Sequence, residues 1–178
     1  MDAFDSVLSA ARAGADWAWE RIYSDLSGPV VGYLRVHGAS DPEDAAGEAF
    51  LQVVRDLPRF SGDERDFRAW VFTIVHRRLL DDRRRRARKP TVLLEDDDVP
   101  RVGGSSPPAS EGAFAAVDRA RVLALLAELP PDQRSVLLLR IVGDMTVEEV
   151  ARAVDKRPGA VKALQRRGLK RIEKAYAP

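Results

Sequence analysis

Two short stretches of the chain concentrate much of its positive charge. Residues 76–89 hold eight Lys and Arg side chains against two Asp, and residues 156–174 hold eight against one Glu. Such cations, clustered at helical spacing, can contact phosphate oxygens, and arginine can also read guanine edges. The pattern predicts a nucleic-acid interface. For either tract taken alone, the alternative is a solvated helix face.

Other chemistries have little support in the residue types. The 178-residue chain has no cysteine and two histidines, so it contains no disulfide or thiolate site, and a zinc site is not expected. We find no nucleophile–base pair, metal-ligand set or phosphate-binding glycine loop, so the sequence predicts neither an enzyme nor a cofactor. The lone histidines, His37 and His76, are expected at the surface or in capping roles.

The sequence shows neither a signal-peptide pattern nor a membrane-spanning segment. The N-terminus lacks the basic start and apolar run of a signal peptide. No apolar run approaches the roughly 20 residues of a membrane span. We therefore expect a cytoplasmic protein without membrane contact, and no sensory extension is expected beyond the last helix.

The elements that must position the basic residues are helices. Apolar side chains recur at helical spacing almost throughout, without useful strand-like alternation, so the sequence predicts an all-α fold. In the first half, the spacing places Trp17, Ile22 and Tyr23 on the inner face of a second helix that is expected to bend near Pro29. Val54 is expected to face the core on a third helix.

Helix-start signals support this reading. Ser40 or Asp41 can cap the third helix, with Pro42 in its first turn, and Asp63 can cap the fourth. In the second half, four helices are expected at roughly 113–128, 131–142, 146–154 and 158–176. Thr146 and the glutamate three residues later form a predicted capping box at the third of these.

Composition divides the chain into three parts. Residues 1–90 carry net charge 0, residues 91–117 carry −4 and residues 118–178 carry +5, which leaves +1 overall. The middle part is rich in Pro, Gly and Ser, has an acidic run at 95–98 and is typical of a flexible linker. We therefore predict two small helical domains, 1–90 and 118–178, joined by this linker.

The last two predicted helices have helix-turn-helix spacing. A short helix is followed by a turn of about three residues, in which Asp155 can adopt the left-handed conformation, and Pro158 opens the longer helix. On that longer helix, Val161, Leu164 and Leu169 are expected to dock on the domain. The other side carries the cations Lys162, Arg166, Arg167, Lys170 and Lys174. This two-faced helix favours DNA binding over a surface helix of an all-helical bundle.

Four segments carry a family resemblance, in order along the chain. They are "DPEDAAGEAFLQVV", "FRAWVFTIVHRRLLDDRRRR", "LAELPPDQRSVLLLRIVGDMTVEEVARAV" and "PGAVKALQRRGLKRI". Together they resemble the extracytoplasmic-function, or group 4, sigma factors of bacterial RNA polymerase. The resemblance covers nearly the whole chain except the linker. It implies a sigma-two-like domain, a sigma-four-like helix-turn-helix domain and a function as a transcription initiation factor that recognises the minus-10 and minus-35 promoter elements.

The resemblance also implies partners and site residues. The partners are core RNA polymerase, through its β′ clamp helices and β flap, and promoter DNA, with an anti-sigma factor as a candidate regulator. The implied polymerase-binding residues are Asp44, Glu48, Leu51, Gln52 and Arg55. The implied minus-10 contacts are Ser61, Asp63, Arg65, Arg77, Arg78 and Arg84. The implied minus-35 contacts are Arg157, Lys162, Ala163, Arg166, Arg167 and Lys170.

Some positions depart from the family pattern. Arg77 stands where the family often has asparagine, and Leu164 and Leu169 stand at two positions where it has arginine. The promoter sequence is therefore not transferable from the family. The alternative function is that of a non-sigma transcriptional regulator with a helix-turn-helix, which would bind DNA without core polymerase.

Overall fold

The computed structural model describes residues 3–88 and 113–176. Within these residues the chain is helical, with turns and without strands, as the sequence predicts. The N-terminal unit comprises α1 (Ala3–Arg12), α2 (Asp16–Val36), α3 (Pro42–Asp56), a short 3-10 helix (Leu57–Arg59) and α4 (Glu64–Arg88). The C-terminal unit comprises α5 (Ala113–Glu128), α6 (Pro131–Ile141), α7 (Val147–Ala153) and α8 (Pro158–Tyr176).

The predicted linker lies mostly in residues 89–112, outside the described residues. The helix α5 begins at Ala113, inside the stretch assigned to the linker by composition. The helix α2 runs from Asp16 to Val36 as one element that includes Pro29.

Side chains at the helix starts act as the sequence predicts. Asp41 caps α3, because its Oδ1 accepts a hydrogen bond from the Asp44 backbone N–H at 2.8 Å. Asp63 and Asp66 form a reciprocal pair at the start of α4: each carboxylate accepts from the other residue's backbone N–H, at 2.8 and 3.2 Å. The Thr146 capping box is also present. These caps fix where α3, α4 and α7 begin.

The helices α2 and α7 each end at a residue with a positive φ. Gly38 has φ +72° and ends α2 in a Schellman motif, with Ala39 N–H donating to Leu34 O at 3.1 Å. Asp155 has φ +52° and ends α7 in the same way, with Lys156 N–H donating to Ala151 O at 2.9 Å. Asp155 thus adopts the left-handed conformation predicted from the sequence.

The cores of the two units are built from aromatic and aliphatic side chains. In the N-terminal unit, Phe67 lies 5.4 Å from Phe60 and 5.5 Å from Phe4 between ring centroids. In the C-terminal unit, α6 and α8 pack closely, because a Cβ on Gly168 would lie 2.8 Å from Cδ1 of Leu137. The glycine therefore allows α8 to approach the buried face of α6.

Some predicted core positions are wrong. Trp17 is 56% exposed, Tyr23 is 52% exposed and Val54 is 45% exposed. Each lies at the edge of an apolar stripe, where helical spacing continues although the neighbouring helix does not cover it. Tyr23 still contacts the core, since its ring lies 5.0 Å from that of Phe50. Ile22 is buried as predicted.

Candidate nucleic-acid interface

The helix α8 is held at a fixed angle by the rest of the C-terminal unit. Val161 and Leu164, on its inner side, are 0% and 9% exposed, and Gly168 is also buried. The helix contacts α5, α6 and α7. The Arg157 carbonyl oxygen accepts hydrogen bonds from the Ala160 and Val161 backbone N–H groups, which starts the helix. These contacts leave the opposite side of α8 open.

That open side carries the cations. We call the exposed residues Lys162, Arg166, Arg167 and Lys170 the basic face. Arg157, just before the helix, is exposed as well, and Ala163 is half-buried. The structure thus brings five of the six predicted minus-35 residues to the surface, on the part of a helix-turn-helix that enters the major groove in DNA-binding proteins. Their individual base or phosphate contacts stay predictions.

Leu169 differs from its prediction. It is 46% exposed and lines a shallow depression on the surface of α8, together with Lys162, Arg166 and Lys170. The predicted docking of Leu169 on the domain is therefore wrong, because its side chain lies at the border of the inner face, among the cations. Its side chain adds apolar area beside the basic face.

Residues 61–66 comprise the end of the loop before α4 and the first turn of α4, and they carry the first of the predicted minus-10 residues. We call this segment loop 61–66. Ser61, Asp63 and Arg65 are all exposed. Gly62 has φ +150°, and a Cβ there would lie 2.6 Å from Cβ of Asp66, so this loop shape requires glycine. Asp63 is used in the cap of α4. Arg65 is 42% exposed, and its Nη2 lies 3.0 Å from Oε2 of Glu149 in the C-terminal unit.

The cations of α4 have different surroundings. Arg77 is exposed and lines a cleft with the loop. Arg78 contacts α3 instead: its Nη1 lies 2.5 Å from Oε2 of Glu48, and its Nε donates to Oε1 of Gln52 at 3.0 Å. Arg84 pairs with Asp81 at 3.2 Å along the same helix. The structure therefore places Arg77 with the loop and Arg78 against α3, beside the residues predicted to bind polymerase.

The predicted polymerase-binding residues lie on one helix, α3. Asp44, Glu48, Leu51 and Arg55 are exposed at successive turns of the same side, which we call the docking face. Leu51 is 61% exposed and adds apolar area among these charged side chains. Gln52 is half-buried and bound to Arg78 and to Asp56.

A buried polar cluster was missed by sequence reasoning. His37 and His76 are 3% and 2% exposed, so neither lies at the surface. His37 is the C-cap of α2, one of the two roles expected for it, whereas the prediction for His76 is wrong. Tyr33 Oη lies 2.7 Å from His76 Nδ1. His37 Nδ1 lies 2.8 Å from the Tyr33 carbonyl oxygen, and its Nε2 lies 3.0 Å from Oγ of Ser135, in the C-terminal unit. We call Tyr33, His37, His76 and Ser135 the polar node.

Burial sets the protonation of the polar node. Desolvation lowers the pKa of His37 to about 3, partly offset by its bond to the Tyr33 carbonyl. Desolvation also lowers the pKa of His76 to about 4, with help from Arg83 and Arg77. Burial raises the pKa of Tyr33. At neutral pH both imidazoles are uncharged, and the His37 proton sits on Nδ1, since that nitrogen faces a carbonyl oxygen.

No described residues suggest a metal centre or a membrane span. Across residues 3–88 and 113–176, no group of three or more His, Asp and Glu side chains is placed to hold a metal ion. No helix in the same ranges combines the length and apolarity needed to cross a membrane.

The fold and site together define a class. Two helical units on one chain, one with a helix-turn-helix whose second helix presents cations, define a DNA-binding transcription protein. Residues 22–89 match the model of sigma-70 region 2, and residues 119–172 match that of sigma-70, region 4. The chain belongs to the sigma-70 family, as an extracytoplasmic-function (ECF) RNA polymerase sigma factor. A non-sigma regulator is not favoured by these matches.

Individual relatives agree with this assignment. The chain is similar to the ECF RNA polymerase sigma factor ShbA of Streptomyces griseus subsp. griseus, with 35% identity over 131 residues, 73% of this chain and 69% of ShbA. It is 30% identical over 168 residues to BldN of Streptomyces coelicolor, covering 93% of this chain. The chain spans 63% of the length of BldN.

A solved structure shows the same fold. CnrH, in complex with the cytosolic domain of CnrY, superposes with a TM-score of 0.62 at 22% sequence identity, covering 99% of this chain and 100% of CnrH. The chain therefore shares its all-helical fold with CnrH.

Proposed function

We propose that this protein is a transcription initiation factor that binds core RNA polymerase and directs it to promoters by recognising their minus-10 and minus-35 elements. The observation that carries the proposal is the basic face of α8, supported from behind by a docked apolar side, in a chain that belongs to the ECF sigma factors. The factor supplies binding rather than a chemical step, and it acts in the cytoplasm.

The C-terminal unit would recognise the minus-35 element. A helix that enters the major groove needs a buried stripe to set its angle and long cationic side chains to reach phosphates and base edges. Val161 and Leu164 provide the stripe. Arg166 and Arg167, at the centre of the basic face, extend from the exposed side. This unit would also contact the β flap of the polymerase.

The N-terminal unit would make the other two contacts, one with the polymerase β′ clamp helices and one with the minus-10 element. The docking face of α3 offers two carboxylates, Asp44 and Glu48, next to the exposed Leu51, a combination suited to the β′ clamp helices. Loop 61–66 and Arg77 would contact the minus-10 element, with a flipped-out base held partly by the loop. An anti-sigma factor is a further partner that would regulate access to these surfaces.

Tethering makes these contacts effective. Two units on one chain turn the second DNA contact into an intramolecular event, so two weak sites act together as a strong one. Each basic surface alone would bind DNA with little sequence preference and with strong salt dependence. Promoter selection would therefore need both units on the polymerase at the same time.

Run-off transcription tests the proposal. Core polymerase is incubated with genomic DNA fragments, with and without the chain, and transcript starts are mapped. We expect starts that depend on the chain and share two upstream elements. Core polymerase alone is the control. Absence of a complex between the chain and core polymerase at physiological salt would contradict the proposal.

A further inference from the structure

The two units contact each other through buried polar groups. His37 follows α2, Ser135 lies on α6, and the hydrogen bond between them joins residues 98 positions apart. Ser135 is 7% exposed and His37 is 3% exposed. Because an unpaired buried polar group is costly, this bond favours one relative placement of the units.

Two arginines reinforce the same placement from opposite sides. Arg134, on α6, donates from Nη1 to the carbonyl oxygen of Val36 at the end of α2, at 3.1 Å. Arg68, on α4, donates from Nε to the carbonyl oxygen of Val142 after α6, at 2.9 Å. Each guanidinium thus satisfies a helix-end carbonyl of the other unit.

A third contact involves the proposed minus-10 surface itself. Arg65 Nη2 lies 3.0 Å from Oε2 of Glu149, and Arg65 Nε lies 4.0 Å from Oδ2 of Asp144. The same Glu149 oxygen accepts from Thr146 Oγ1 at 2.7 Å, so the carboxylate is fixed in place. Two carboxylates of the C-terminal unit therefore stand beside Arg65, where a phosphate of DNA would bind.

The loop faces α7 across a narrow space. A cleft of about 420 Å³ separates the proposed minus-10 surface from the first helix of the helix-turn-helix. A strand of several linked nucleotides would have to displace α7 to reach the loop side chains there. The cleft is lined on one side by Ser61, Asp66, Ala69, Trp70, Thr73 and Arg77, and on the other by Met145, Glu149, Arg152 and Ala153.

We propose that this closed arrangement is an autoinhibited state of the factor, in which the C-terminal unit masks the minus-10 surface while the basic face of α8 stays free. The inference rests on the proposed function, which assigns loop 61–66 to DNA. It makes each unit a binding partner of the other, with the His37–Ser135 bond and the Arg65–Glu149 pair among the contacts that must separate before the promoter can be opened.

The effect of the closed state on activity depends on the fraction of molecules that adopt it. A ligand shifts a two-state equilibrium only by its differential affinity for the two states. DNA that contacts the minus-10 surface would bind only the open form, so its apparent affinity falls by the fraction of chain that is open. Duplex DNA that contacts only the basic face of α8 would bind both forms equally.

A reversible lock tests the proposal. The chain has no cysteine, so the double variant Asp25→Cys and Asp144→Cys provides a unique thiol pair on two exposed side chains that line one pocket, one in each unit. Because both positions are exposed, a reducible bis-maleimide can join the two thiols without filling the buried contact between His37 and Ser135. The matched control is the same variant with each thiol capped separately by N-ethylmaleimide.

Three measurements compare the locked chain with the same chain after reduction. Run-off transcription with core polymerase is expected to fall at least about tenfold in the locked form and to recover on reduction. Binding of a short, labelled single-stranded oligonucleotide of mixed sequence should also weaken. Binding of a mixed-sequence duplex should not change. Equal transcription and equal single-strand binding in both forms, or failure of the free chain to cross-link internally, would overturn the proposal.

A second pair of variants does not depend on cross-linking. Ser135→Gln overfills the buried contact with His37, whereas Ile141→Gln alters an exposed site on the same helix, where Ile141 is 65% exposed. Ser135→Gln should strengthen single-strand binding by the free chain, and Ile141→Gln should not; the same affinity in both would count against closure. If core polymerase gives no transcript with the reduced, unlocked chain, the proposed function fails. The single-strand binding measurements still decide whether the free chain adopts the closed form.

Discussion

The arginines of this chain have different surroundings, and these decide which groups each guanidinium can bind. Arg134 directs its guanidinium to backbone carbonyls, donating to Leu126 at 3.1 Å, Leu129 at 2.9 Å and also Ala127 within its own unit. Burial and the neighbouring Arg83 lower its pKa. Arg167 is exposed on the basic face. Surroundings, rather than residue type, separate structural cations from those available to DNA.

Arg167→Ala is expected to weaken promoter binding by about 1–3 kcal/mol if the side chain reads a base. The cost arises because a bidentate contact to guanine is lost and no neighbour replaces it. The measurement is the affinity of the polymerase holoenzyme for a mapped promoter fragment at fixed salt. Arg171→Ala removes the same charge at a site that faces α5 and is the control. Unchanged transcription from the native promoter would contradict this placement of α8.

The two buried histidines make stability depend on pH. In the unfolded chain both imidazoles have an ordinary pKa near 6.5, whereas in the folded chain the values are about 3 for His37 and about 4 for His76. The unfolded state therefore binds more protons at every pH between these limits. Stability is complete above pH 6.5 and is lost as the pH falls from 6.5 towards the folded values.

We expect the free energy of unfolding to fall by up to about 3 kcal/mol between pH 6.5 and pH 5. Urea unfolding at several pH values measures it, in a range where most Asp and Glu remain ionised. His76→Gln removes one titrating group, so its stability should depend less steeply on pH even if it starts lower. The same slope in the variant would show that His76 is not buried as a neutral imidazole.

Sequence predicted the elements well wherever the signal was local. Asp41, Asp63 and Thr146 cap their helices through hydrogen bonds to backbone groups three residues away, and Asp155 ends α7 within one turn. These patterns need no knowledge of the rest of the fold. The helix-turn-helix, and with it the basic face of α8, could therefore be predicted from residue order alone.

Contacts between distant elements could not be predicted in the same way. Helical spacing assigned Val54 and Leu169 to the core, but only the positions of neighbouring helices decide whether the edge of a stripe is covered. Arg68 and Arg134 bind carbonyl oxygens, which every residue has, so the sequence carries no mark of these bonds. The burial of His37 likewise depends on the placement of α6, far along the chain.

Charge reversal at Glu48 tests the docking face of α3. Glu48→Lys is expected to lower the affinity for core polymerase by about tenfold, because a partner that attracts a carboxylate would meet a cation of the same sign. Binding is measured without DNA, and the circular dichroism spectrum should stay unchanged. Arg78→Ala is the control, since it breaks the 2.5 Å ion pair without reversing the exposed charge. An equal loss in both variants would attribute the effect to the ion pair rather than to the docking face.

At the scale of the whole molecule, the same surfaces would serve two competing arrangements. In the closed form, Arg65 pairs with Glu149, and the polar node joins α2 to α6. On a promoter, the proposed function requires the two units to occupy separate DNA elements. Several hydrogen bonds and an ion pair of partly buried groups oppose that separation, so the gain from polymerase and DNA must exceed their contribution. Such a balance allows the chain to be stable when free and active when assembled.

The coupling of the two units predicts a single unfolding transition. All three tryptophans, Trp17, Trp19 and Trp70, lie in the N-terminal unit, so tryptophan fluorescence reports that unit, while far-ultraviolet circular dichroism reports the helices of both. Because the units share the buried bond between His37 and Ser135, we expect the two signals to change at the same urea concentration in the unmodified chain. Ser135→Gln should separate the two midpoints, since overfilling a buried contact costs about 1–3 kcal/mol and here loosens only the link between the units. Ile141→Gln, at an exposed position of the same helix, should leave them coincident. Midpoints that already differ in the unmodified chain would mean that the units unfold independently and that the contacts between them are too weak to hold the closed state.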